Sequence, residues 1–185
     1  MSRIDRAPVL VLGLGNTLLG DDGAGTHLVT LMSQLRAGWD GEVEFLEGGT
    51  RGLALLGDLA GRYALVLLDA AALGAVPGTV HLRRDGEVLS LSHRGGTAHE
   101  GNAGELLAAA GLLGELPRHI IMVGIEPLYL ETGIGLSEPV RRAIPGALEA
   151  ARKAVEEALA RLENDYLHGQ EIQPNCKPLK GRILS

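Results

Sequence analysis

Three short apolar runs constrain this chain more than any other feature. Residues 9–14 read VLVLGL, residues 64–68 read ALVLL, and residues 120–125 read IIMVGI. An unbroken apolar run of this length, with no polar alternation, marks a strand buried on both faces. Helical spacing fills the stretches between them. Ala24, Leu28, Met32 and Leu35 share one face of a helix expected over residues 22–35. Val140, Ile144, Leu148, Ala151, Val155, Leu159 and Leu162 form the apolar stripe of a C-terminal helix expected over residues 138–162. Shorter strands are expected at 43–46 and 79–82, and further helices near 53–60 and over 103–113. Five strands alternating with helices predict a three-layer α/β/α fold, its mostly parallel twisted sheet covered on both faces. Pro139 suits a helix first turn, whereas Pro145 is expected to kink or break the helix near its start.

The length of 185 residues suits one domain, placed at residues 1–164. After Asn164 the periodicity fails, and residues 165–185, with Pro174 and Pro178, read as an irregular tail. Aromatic residues are only 3%, so the core must be aliphatic. A net charge of −6 argues against nucleic acid as a partner, because phosphate binding needs a basic surface. No window reaches the ~20 apolar residues of a membrane span. The first residues lack an apolar signal core. The single Cys176 excludes an internal disulfide and a multi-cysteine zinc site, which fits a reducing cytoplasm. With no coiled-coil pattern, a monomer is expected.

In open α/β sheets, ligands bind outside the carboxyl ends of the strands. Three polar clusters fall there: residues 13–25 (GLGNTLLGDDGAG), Asp69, and a polar stretch over 83–101 that contains His93 and His99. The first cluster is not a nucleotide site. Leu18 stands where a dinucleotide fingerprint needs its third Gly, and Asp21 and Asp22 stand where a P-loop needs Lys and Ser or Thr. Two carboxylates repel phosphate and attract a cation. Taken singly, each candidate has an ordinary structural role. Asp21 or Asp22 can cap a helix, Asp69 can cap a loop, and a loop histidine is usually just solvated. His27, His81, His119 and His168 read as structural or incidental. Taken together, two carboxylates and one histidine at one sheet edge can converge as three metal ligands with a position left open.

The run LGLGNTLLGDDGAG, residues 12–25, resembles the N-terminal signature of hydrogenase maturation proteases, apolar-G-x-G-N-x-x-x-x-D-[DE]-x-x-G. Four further features resemble that family in order. They are the turn Glu47-Gly48-Gly49-Thr50, the strand end Leu67-Leu68-Asp69-Ala70, His99 ahead of Glu105-Leu106-Leu107, and Val123-Gly124-Ile125-Glu126-Pro127. The similarity spans about residues 8–162. It implies a five-stranded, phosphorylase/hydrolase-like fold and a cytoplasmic endopeptidase, sometimes grouped with the aspartic peptidases. It also implies that Asp22, Asp69 and His99 bind nickel carried by the substrate, the large-subunit precursor of a [NiFe]-hydrogenase. The family cuts a short C-terminal extension from that precursor. Members often keep a Gly three residues after the histidine, where Asn102 stands here, so His93 is a second candidate ligand.

The expected chemistry is attack by water, with Asp22 or Asp69 as general base. No Ser–His or Cys–His nucleophile pair is evident. Gly48, Gly49 and Thr50 are expected to shape the substrate cleft, since glycine lets a peptide approach closely. Two rivals stand beside this reading. One is a metal-dependent hydrolase of small amides or peptides. The other is a nickel chaperone or metal-state sensor that binds the large subunit without cutting it.

Overall fold

The computed structural model describes residues 6–35, 38–39, 41–92 and 102–170. Ten elements follow in order: β1 (Val9–Leu14), α1 (Ala24–Gln34), β2 (Val43–Gly49), α2 (Leu56–Leu59), β3 (Ala64–Ala70), β4 (Val80–Arg84), α3 (Gly86–Ser92), α4 (Asn102–Leu112), β5 (His119–Ile125) and α5 (Glu138–Leu167). Tight 3-10 turns precede α1, at Gly20–Gly23, and α2, at Gly52–Leu55.

The five strands form one sheet in the order β2-β1-β3-β5-β4. The pairs β1–β2, β1–β3 and β3–β5 are parallel, and β4 runs antiparallel along β5. The three apolar runs are the three central strands, so their residues are buried on both sides. Successive side chains point to opposite faces. Val9, Val11, Val66, Leu68, Ile121 and Val123 pack under α1 and α5. Leu10, Leu12, Leu65, Leu67, Ile120 and Met122 pack on the other face, against α4 and the segment around α2. The expected three-layer α/β/α architecture is the one observed.

Three details differ from expectation. The polar stretch 83–101, for which the sequence predicts no helix, contains α3, entered through Asp85 in the left-handed region at φ 45°. Helix α5 is not broken by Pro145, because buried Val140, Ile144, Ala147 and Ala151 seat it on the sheet on both sides of the proline. It also continues to Leu167, past the expected end, because Asp165 is buried and accepts a 2.8 Å hydrogen bond from the Tyr63 hydroxyl. The expected boundary at residue 164 therefore falls inside this helix. Residues 171–185 lie outside the described residues.

The topology also creates one special crevice. From β1 the chain leaves to α1 on one face and turns outward to β2. From β3 it leaves towards β4 and then to α3 and α4, two helices whose apolar sides pack on the opposite face. Loops that part in opposite directions from adjacent parallel strands leave a gap between them. That gap lies beyond the carboxyl ends of β1 and β3.

Candidate functional site

Both lips of the crevice carry an aspartate. Asp22 belongs to the 3-10 turn that follows β1, and Asp69 is the penultimate residue of β3. Each is about 1% exposed or less. The local sequence explains how the turn is brought so close. Gly15 has φ +120°, and a Cβ there would lie 1.9 Å from the Asp22 carbonyl oxygen, so only glycine fits. The backbone N–H of Asn16 donates to Asp22 Oδ2, and Asn16 Oδ1 accepts from the Leu18 amide at 3.0 Å. A Cβ on Gly25 would sit 2.2 Å from the Leu68 carbonyl and 2.3 Å from that of Leu14. The first turn of α1 thus lies astride the ends of β3 and β1, with Asp22 just before it and Asp69 just after Leu68.

The electrostatics of Asp69 register this closeness. Burial, and then the charge of Asp22, push its carboxyl up to about 8, against a smaller opposing pull from the Ala70 amide. Asp69 Oδ1 accepts that amide at 2.8 Å. Its Oδ2 is buried and has no hydrogen-bond partner among the described residues. A buried carboxylate oxygen without a donor is costly. Two buried acids side by side suit a divalent cation, which relieves their repulsion and takes up the Asp69 oxygen.

Asp21 does something else. It does not cap the turn. Its carboxylate reaches across to the segment after β5. It accepts from the Leu128 amide at 2.8 Å, the Ser137 amide at 2.6 Å and the Ser137 hydroxyl at 2.7 Å, with a longer contact to the Tyr129 amide at 3.4 Å. Of the acidic pair, then, one member fastens two loops together, while the charge of the other is felt by Asp69.

The third wall is the end of β2. Gly49, at φ 54°, accepts the Gly15 amide at 3.1 Å, tying residues 48–50 to the loop that holds Asp22. Gly48 is buried against Leu12 and Leu14, whereas Thr50 is exposed. His93 and His99 lie outside the described residues. Within the described residues no three His, Cys, Asp or Glu side chains group closely enough to hold a metal.

Sequence reasoning missed a supporting pair. Glu126, 5% exposed, accepts from the amides of Leu73 (2.9 Å) and Gly74 (3.0 Å) and lies 2.8 Å from His81 Nε2. Burial pushes its carboxyl up, but the Leu73 amide, His81 and the Gly74 amide outweigh that and hold it below the usual range. This pair anchors the loop that leaves Asp69. The available signal was Glu126 placed directly before Pro127, at the end of a buried strand.

Known proteins share this fold and much of this sequence. The family model described as hydrogenase maturation protease (HycI) matches residues 27–154. The Hydrogenase 2 maturation protease of Escherichia coli K12 is 38% identical over 151 residues, covering 81% of this chain and 92% of that protein. The hydrogenase expression/formation protein HupD of Bradyrhizobium diazoefficiens is 36% identical over 151 residues, covering 80% and 78%. Among solved structures, the hydrogenase maturating endopeptidase HybD from E. coli superposes with a TM-score of 0.72 at 37% identity, covering 81% of this chain and 93% of that one. The [NiFe] hydrogenase maturation protease HybD from Thermococcus kodakarensis gives 0.65 at 28% identity, covering 80% and 98%.

Proposed function

Since this chain belongs to the hydrogenase maturation protease family, we propose that it removes the C-terminal extension of a [NiFe]-hydrogenase large-subunit precursor whose nickel is already in place. The nickel arrives as part of the substrate. Asp22 and Asp69 supply carboxylate oxygens to it, and His99 supplies an imidazole nitrogen, a donor that suits nickel. A precursor without nickel then offers these residues nothing to grip, so only a loaded subunit is cut.

The observation that carries this reading is the buried pair Asp22 and Asp69 at the crevice between β1 and β3. Without a cation, burial and then the charge of Asp22 favour a proton on Asp69 at neutral pH. A divalent ion displaces that proton and leaves both acids ionised. One of them then takes the proton of the attacking water as general base. This is carboxylate-driven hydrolysis, which fits an aspartic-type grouping. At the end of β2, buried Gly48 seats the turn while Gly49 and exposed Thr50 border the crevice, where an extended peptide can approach. The reaction is cytoplasmic, where the lone Cys176 stays reduced.

Incubating the protein with a nickel-loaded precursor and reading the mass of the product tests the proposal. A defined C-terminal truncation is expected with nickel and none without it. Asp69→Asn and His99→Ala should each slow cutting by roughly 10³-fold, equivalent to about 4 kcal/mol of barrier. Stable binding with an unchanged precursor mass would make the protein a metal-state sensor or chaperone instead.

A further inference from the structure

The loops that carry the acidic pair also carry an apolar surface that the chemistry does not use. Leu18 is 62% exposed, Leu128 53%, Tyr129 39% and Ile134 93%. They come from two segments zipped together. The Gly20 amide donates to the Gly133 carbonyl at 2.8 Å, and the Gly133 amide donates to the Leu18 carbonyl at 3.0 Å. Tyr129 lies over Gly20, where a Cβ would meet its ring at 2.4 Å. Beside Ile134 is a cavity of about 150 Å³, lined by Thr17, Gly20, Gly23, His27 and Leu136 among others. A space of that size takes one aromatic ring or one branched aliphatic side chain.

Exposed loops that only close a fold are usually polar. Four large apolar side chains on two loops fastened to each other suggest a surface kept ready for something. The fastening also fixes where the surface sits. Asp21, the neighbour of Asp22, grips the Leu128 amide at one end of the second loop and Ser137 at the other. The Asp21 carboxylate and the two backbone hydrogen bonds at Gly133 together fix the second loop beside the turn of Asp22.

We propose that Leu18, Leu128, Tyr129 and Ile134 form a docking platform for an extended apolar segment of the precursor polypeptide, one side chain of which enters the cavity beside Ile134. This rests on reading the chain as a precursor-cutting protease. The platform continues the turn that holds Asp22, so a segment lying on it is delivered at a fixed spacing from the crevice. A second copy of this chain seated there would compete with the substrate.

The test is steady-state cutting of the nickel-loaded precursor by wild type, Ile134→Lys, Leu18→Ser and a control, Leu112→Ser, whose side chain is 90% exposed on α4. All three variants should melt like wild type, since the replaced side chains face solvent. Loss of one apolar contact should raise KM about tenfold in Ile134→Lys and Leu18→Ser with kcat retained. Leu112→Ser should match wild type. An unchanged KM in both platform variants, or a fall in kcat alone, overturns the platform while leaving the protease reading intact. So does a wild-type dimer that these variants dissociate without altering KM. A wild type that leaves the precursor at full length fails the protease reading first, and the platform falls with it.

Discussion

Asp69 is the residue at which site chemistry and stability collide. Its carboxyl is ordinary in the unfolded chain, near 3.8, and is pushed to about 8 in the fold. Between those values the native state holds a proton that the unfolded state has lost, so stability falls as pH rises from about 4 to about 8. Asp69→Asn removes that titration. Metal-free Asp69→Asn should melt above wild type at pH 8 and approach it near pH 4, by calorimetry across that range. A parallel pH dependence in the two proteins would show that Asp69 does not carry the strain. Asp21 should behave in the opposite way. Asp21→Ala abandons buried amides and a hydroxyl, costing roughly 3 kcal/mol and about 10 °C in Tm. Spacing alone offers capping for either acid, and only the family resemblance singles out Asp22. The difference depends on Leu128 and Ser137, more than a hundred positions away, which no local pattern reveals.

At the scale of elements, what was legible followed from burial. β1, β3 and β5 are covered on both faces, so their composition alone announces them. β2 and β4 are half-exposed edges, and their patterns are weaker. Helix α3 was hidden because its seven residues, GEVLSLS, are too few for helical periodicity to emerge from a polar stretch. Two glycines bring the helix–sheet contact to a test. Gly25→Ala places a methyl against the carbonyls of Leu14 and Leu68, where α1 cannot withdraw without pulling the turn of Asp22 off β3. It should cost about 3 kcal/mol by urea denaturation. Gly57→Ala, in α2 with open space around it, should instead gain about 0.5 kcal/mol. A similar response at both positions would mean that the close approach at Gly25 is not a constraint.

For the molecule as a whole, the sheet and its two aliphatic layers account for the fold without any ion. The buried clusters on the two faces are Leu, Val, Ile and Ala almost throughout, with Trp39 and Tyr63 as the buried aromatic exceptions. No helix among the described residues is long and apolar enough to cross a membrane. Dialysis against a chelator should therefore leave the far-UV circular dichroism spectrum and Tm unchanged, while added nickel should raise Tm through the crevice acids. Unfolding on chelation would make the metal a structural part of the protein and exclude its arrival with the substrate.

The pairing of β1 with β3 has a consequence during synthesis on the ribosome. Between the two strands the polypeptide must make α1, β2 and α2, so the first acid emerges long before its counterpart exists. If the two acids cut as proposed, a partly made chain carries half a blade. It gains an edge only once the middle of the sheet has closed, and until then it can brush against its client without harming it.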